Sequence, residues 1–249
     1  LGAVSDSQLP NAIWNDKQDN AIEYVTGPFG QIELAITAYP DASSDGDGGF
    51  NSDPFPIDPT SAYMFVVYIK RTTNAQHGKA YFGTEGLDDA GADDFIIKNT
   101  TSSYPNVEDN PYFMYGDITP SGETEDDSLN RWFLHVGYVY PSGSAVDASR
   151  KSKVYDMTTG LSGSYDEHNE QTFMWHTGAT QSRIRVYHYY NTNGDGNTKY
   201  QEIARPAVYK MDGSEPTIQQ LLGHEAAFNN LTNVSGSFGT TTTNNATAA

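Results

Sequence analysis

The sequence predicts an all-β protein: one antiparallel β-sandwich of jelly-roll type, closed by a single short C-terminal helix. Three observations predict it. Apolar residues recur with period two, or in unbroken runs of strand length, along most of the chain. Between these runs lie turn-forming stretches such as SSDGDGGFNSDPFP, DDAGADD, TPSGETEDD and NTNGDGN. Helix signals are confined to one segment near the C-terminus. A length of 249 residues suits one large β domain.

Taken in order, residues 22–26 and 31–38 read as short strands. Residues 62–71 (AYMFVVYIKR) are apolar on both faces until Lys70 and Arg71, which marks a central, doubly buried strand. Residues 79–83 and 112–115 are shorter candidates. In 131–140 (RWFLHVGYVY), Trp132, Leu134, Val136, Tyr138 and Tyr140 alternate against Arg131, Phe133, His135, Gly137 and Val139. Segment 172–176 follows, then 183–190 (RIRVYHYY) and 200–210. The helix is expected within 214–222: Ser214 can cap it, Pro216 tolerates its first turn, and Gly223 can stop it. No internal repeat supports a propeller or solenoid. The expected organisation is an N-terminal arm (1–11), the sandwich (12–222) and a Thr/Asn-rich C-terminal arm or linker (223–249).

Composition bounds the function. With 14 basic and 32 acidic residues the net charge is −18, which argues against nucleic acid or an anionic membrane as partner. No apolar run reaches the roughly 20 residues a membrane helix needs, so no membrane insertion is expected. The first residues carry no basic-then-apolar signal pattern, so the chain is expected to be soluble as it stands or to have lost any targeting segment. Zero cysteine excludes disulfides, thiolate zinc sites and a cysteine nucleophile. Seventeen tyrosines in an acidic, Gly-rich chain point to an extracellular β-protein that handles polar ligands.

The usual catalytic signatures are missing: no G-x-S-x-G elbow, no P-loop, no G-x-G-x-x-G. His224-Glu225-Ala226-Ala227-Phe228 opens like a zinc-protease helix, but Phe228 stands where the second histidine must be. The expectation is a non-enzyme, with a polysaccharide-cleaving jelly roll as an alternative. Two acidic loops admit a Ca²⁺ reading. In residues 41–53, Asp45, Asp47, Asn51 and Asp53 alternate with small residues, so a tight turn could aim several hard oxygens at one point. Residues 191–202 match the calcium-loop spacing but start on Asn191 and are flanked by strands. The plainer reading of both is an Asx/Gly turn. The third feature is one face of strand 183–190: Arg183, Arg185, Tyr187 and Tyr189. Flat aromatics stack on the C–H faces of sugars, and arginine forks bind hydroxyls, uronates or sulfates. The alternative is an amphipathic strand whose arginines pair with nearby acids. His135, Trp132 and Trp175 read as core or edge-packing residues, with a ligand role as the alternative.

Seven segments occur in a familiar order: DASSDGDGGFNSD, YMFVVYIKR, NPYFMYGDI, RWFLHVGYVYPSGS, VYDMTTG, IRVYHYYNTN and DGSEPTIQQLL. The series resembles a carbohydrate-binding-module-like jelly-roll domain of the kind found in bacteriophage tail fibres and in secreted or surface proteins of aquatic bacteria. It covers roughly residues 12–222. The resemblance implies a non-catalytic attachment module, extracellular, at a cell surface or on a virion, with a polysaccharide or cell-surface glycan as partner and bound Ca²⁺ at the Asp45–Asp53 loop. It implies no ligand-contacting residues. Phe50, where Trp is expected after the Gly pair, and the acidic stretch 121–128 depart from it. A homo-oligomer or fibre is expected, since weak sugar sites gain from multiplicity. A purely structural subunit, whose arms complete a neighbour's sheet, is the alternative from a different class.

Overall fold

A computed structural model describes residues 19–41, 48–73, 78–91, 96–98, 111–116, 123–145, 147, 149–160, 169–189 and 194–223. Its strands are β1 (Asn20–Thr26), β2 (Ile32–Ala38), β3 (Gly49–Asn51), β4 (Phe55–Pro56), β5 (Tyr63–Arg71), β6 (Lys79–Leu87), β7 (Ile96–Lys98), β8 (Tyr112–Gly116), β9 (Trp132–Tyr140), β10 (Lys153–Asp156), β11 (Asn169–Glu170), β12 (Phe173–Trp175), β13 (Gln181–Tyr189) and β14 (Gln201–Lys210). Two one-turn helices, α1 (Glu125–Ser128) and α2 (Ile218–Leu221), complete the set.

The strands form two layers. Sheet A runs β1-β2-β14-β5-β9-β12-β7, with β10 also on β9; sheet B runs β11-β8-β6-β13-β3, with β4 also on β13. Among the described residues every pairing is antiparallel except β9 with β12. The long strands cross between layers in the jelly-roll manner: β5 lies in sheet A and β6 in B, β8 in B and β9 in A, β13 in B and β14 in A.

The central strands of sheet A, β5 and β9, are buried on both faces, as their unbroken apolar runs require. Tyr63, Phe65, Val67 and Ile69 of β5 join Phe133 and Val139 of β9 in the core between the sheets. Sheet B supplies Phe82, Phe113, Met114, Ile184 and Val186 to the same core. The alternate residues Met64, Val66, Tyr68, Trp132, Leu134, Val136 and Tyr138 pack with Leu221 and Leu222 in a second cluster on the other face of sheet A. The Tyr68 hydroxyl donates to the Leu221 carbonyl at 2.6 Å, fixing α2 to that face.

The helix starts later than its sequence suggests. Thr217, not Ser214, is the N-cap, in a reciprocal capping box with Gln220. Ser214 is occupied elsewhere, its hydroxyl donating to Asp212 Oδ1 at 2.6 Å. Gly223 does stop the helix, at φ +76°. His135, Trp132 and Trp175 are core residues as expected: Trp175 is fully buried, and the Trp132 indole donates to the Thr26 carbonyl at 3.0 Å.

Candidate functional site

Sheet B has one face in the core and one turned away from it. Period two places Lys79, Tyr81, Gly83 and Glu85 of β6, and Arg183, Arg185, Tyr187 and Tyr189 of β13, on that outer face. The register arranges them in rows. Tyr115 faces Tyr81, which faces Tyr187. Tyr112 faces Gly83, Gly83 faces Arg185, and Arg185 faces Asn51. Glu85 faces Arg183.

A bulge in β8 makes this possible. The register slips between Phe82 and Gly83, so two residues of β8, Phe113 and Met114, oppose one of β6. Both enter the core, while Tyr112 and Tyr115 both reach the outer face. Gly83 leaves the space the Tyr112 ring needs: a Cβ there would stand 2.9 Å from Tyr112 Cδ1 and 2.4 Å from the Pro111 carbonyl oxygen.

Ionic and aromatic contacts lock the face. Arg183 and Arg185 share the Glu85 carboxylate, Arg185 Nη1 lying 2.6 Å from Glu85 Oε1 and Arg183 Nε bonding Oε2. The Arg185 guanidinium lies 5.1 Å from the Tyr112 ring centroid and 5.3 Å from that of Tyr187, within cation–π range. Its Nε donates to the Tyr187 hydroxyl at 3.2 Å, which in turn donates to Asn51 Oδ1. Burial opposes the Arg185 charge, yet Tyr187, Tyr112 and Glu85 outweigh it and hold its pKa above the ordinary guanidinium value. Above this buried layer, Tyr81 and Tyr115 stack at 8° and 5.6 Å, and Tyr189 meets Tyr81 edge-on at 5.3 Å. These three rings are half-buried.

The four sequence-predicted residues therefore share one face but divide in depth. Arg185 and Tyr187 are buried; Arg183 and Tyr189 reach the surface. Glu85, Tyr81, Tyr112 and Tyr115 were not among the predicted residues. The period-two reading of 79–83, carried on to 87, would have found the first two.

The predicted metal residues fare differently. Asp45 and Asp47 lie outside the described residues. Asn51 is buried and accepts from Tyr187, so it serves the tyrosine network, while Asp53 is half-exposed. Among the described residues no three His, Cys, Asp or Glu side chains converge. In the second acidic loop the Asp195 carboxylate accepts from the backbone amides of Asn197 and Thr198, a turn of its own. Glu202, at the twelfth position, instead meets Lys70 at 2.5 Å.

Burial raises the pKa of Tyr68, Tyr112, Tyr138, Tyr187 and Tyr209 and pushes that of Tyr140 up to about 12. A phenol whose pKa is raised on folding contributes stability that is complete below the unfolded value of about 10 and lost as pH rises through the folded values. In the native protein these six phenols should therefore stay protonated at pH 10, then ionise as the protein unfolds at higher pH. Absorbance at 295 nm and circular dichroism along one alkaline titration check this; a smooth native titration of all tyrosines near pH 10 contradicts it.

No family model matches the sequence, and no curated protein matches it. Several solved structures are similar, among them the three described next. An exo-β-agarase gives a TM-score of 0.37 at 11% identity, over 85% of this chain and 25% of that one. The binding domain of botulinum neurotoxin serotype G gives 0.39 at 9%, over 84% and 45%. Domain 4 of AbnA, a GH43 extracellular arabinanase from Geobacillus stearothermophilus in complex with arabinotriose, gives 0.32 at 16%, over 78% and 79%. The chain thus spans a quarter of the agarase and under half of the neurotoxin domain.

Proposed function

We propose that this sandwich is a non-catalytic glycan-binding module that holds polysaccharide across the outer face of sheet B. The observation that carries this reading is the row of half-buried tyrosines on three adjacent strands, Tyr115, Tyr81 and Tyr189. A sugar ring offers an apolar C–H face to such rings and hydroxyls to the donors beside them. Arg183 is the donor at the surface, and the Arg185–Glu85–Tyr187 layer fixes the rings from beneath, which lowers the ordering cost of a weak site. Glu85 is tied to two arginines, which favours a binding face over an acid–base pair. The module acts outside the cell, on a cell surface or on an appendage such as a tail fibre, where several copies side by side raise a weak affinity through effective concentration.

A glycan array followed by affinity electrophoresis on the retained polysaccharides tests the proposal. Tyr81→Ala removes the ring that touches both others and should weaken retention roughly fivefold, since stacking of this kind is worth about 1 kcal/mol per ring. Retention equal to wild type, or no glycan bound by the parent protein, rejects the tyrosine face as the site.

A further inference from the structure

We infer that two copies of this chain join through β1, pairing Asn20–Tyr24 antiparallel about a twofold axis at Ile22. Among the described residues β1 is the outermost strand of sheet A. The Gly27 amide donates to the Gln31 carbonyl and the Tyr39 amide to that of Asp19, which sets the hydrogen-bonded pairs with β2 at the odd positions of β1. Asn20, Ile22, Tyr24 and Thr26 therefore turn their backbone groups away from β2. Among the described residues none bonds the backbone of Ile22 or Tyr24. Exposed edges in soluble proteins are ordinarily blunted by Lys, Pro or a bulge. The β1 sequence NAIEYVT has no Lys or Pro, and its pairing with β2 is regular from end to end.

The side chains beside this edge are uncovered too. On the core-facing side of the β1–β2 hairpin the cross-strand pairs are Ile22 with Ile36, Tyr24 with Leu34 and Thr26 with Ile32. Ile36 is in the core, but Ile22 is 44% exposed, Tyr24 63% and Ile32 67%. These are the exposed large hydrophobics among the described residues, and all three lie on one hairpin. Charge favours a second copy as the occupant. At −18 the chain repels itself wherever acids meet acids. This side of the hairpin carries no charged residue. The acids on its other side are each paired, Glu23 with Lys199 at 2.8 Å and Glu33 with Arg205 at 2.6 Å. Another copy, which the rest of the acidic surface would turn away, meets no opposing charge here.

Trp132 and Glu23 set the register. The Trp132 indole donates to the Thr26 carbonyl at 3.0 Å, which closes one end of the edge and leaves Asn20, Ile22 and Tyr24 for pairing. Self-pairing that uses all three puts Ile22 opposite its own counterpart, Tyr24 opposite Asn20 of the second copy, and Glu23 opposite Ala21. A shift by one pair of residues in one direction would set Asn20 against Thr26 and the two Glu23 carboxylates directly against each other, which is destabilising. The opposite shift would leave Tyr24 without a partner inside β1. In the favoured register Ile22 meets Ile22 across the axis, and the Tyr24 ring reaches the diagonal Ile22 of the second copy. The axis stands perpendicular to the joined sheet, so both copies of sheet B lie on the same side of it. Their tyrosine faces then look the same way, which suits avidity. The pairing itself rests on β1 alone and stands whether or not that face holds glycan.

Sedimentation velocity of the full chain over a concentration series tests the pairing, and cysteine variants report its register because the chain has no cysteine of its own. The average mass should rise from one chain toward two with concentration, as expected of a small, transient interface. Ile22→Lys places a charge on the edge and should hold the mass at one chain, with the thermal midpoint little moved. Under mild oxidation Ile22→Cys should give a disulfide-linked dimer, since the Cα atoms of a hydrogen-bonded antiparallel pair stand about 5.5 Å apart. Tyr24→Cys is the control: its two copies are offset by about four residues, roughly 13 Å, and should link at least about tenfold more slowly. A one-chain mass at every concentration overturns the inference. So does association that survives Ile22→Lys, or equal linking of the two cysteine variants.

Discussion

Glu85→Gln will lower stability by about 3 kcal/mol, more than the loss of a surface ion pair, because it leaves two arginines on the outer face of sheet B without their shared carboxylate. The side chains of Glu85 and Arg185 are only 9% and 11% exposed, and Arg183 is 22% exposed, so water repays little of the loss. For a sandwich of this size that corresponds to a fall of about 10 °C in the thermal midpoint. The control is the double variant Glu85→Gln, Arg185→Met. Replacing both members of a buried pair by uncharged groups is often near neutral, so the second change should recover part of the loss although it removes a further native residue. Glycan retention separates support from contact: Glu85→Gln weakens it through disorder of Tyr112 and Tyr187, whereas Tyr81→Ala weakens it with the midpoint little moved. A midpoint within about 2 °C of wild type for Glu85→Gln would show that the carboxylate does not hold this layer.

The architecture was legible where a strand advertises itself locally. β5, β9, β13 and β14 were read to within one or two residues, because an unbroken apolar run or a clean alternation has one interpretation at that length. β3, β4, β7, β10 and β11 escaped for the opposite reason. Gly49 begins β3 at φ +128°, a conformation that local propensity assigns to a turn, and the strand exists because Phe50 and Asn51 pair with β13 more than a hundred residues away. The stripe on β13 was legible as a stripe. Its partners were not, since the meeting of Tyr81 with Tyr115 depends on the one-residue slip at Phe113 and Met114, a matter of register between strands. Glu85 was passed over because Gly83 reads as the end of a strand; in the sheet it is the gap in which Tyr112 and Arg185 meet. Depth is likewise a tertiary quantity, which is why nothing in RIRVYHYY separates buried Arg185 from the more exposed Arg183.

Gly137→Ala should cost about 3 kcal/mol, at the upper end of what overpacking by one methyl ordinarily does. Gly137 is on the core-facing side of β9, and the Phe113 ring of sheet B lies directly on its backbone: a Cβ would stand 2.2 Å from Phe113 Cγ and Cδ2. Those are atoms at the root of the ring, so a change in ring orientation cannot relieve the overlap and the two layers must part. Phe113 touches Phe65, Phe82 and Phe173, with ring centroids 5.3 to 5.6 Å apart, so the displacement spreads through the centre of the core. A double-mutant cycle isolates this cause. Phe113→Ala alone should cost about 3–5 kcal/mol by leaving a cavity. In that background Gly137→Ala should cost under about 1 kcal/mol, because the new methyl enters space the ring has vacated; residues in direct contact show such non-additivity, distant ones do not. Denaturant midpoints at constant slope measure all four corners. If the two costs simply add, the glycine is required by the backbone of β9, and the spacing of the layers is set by other contacts.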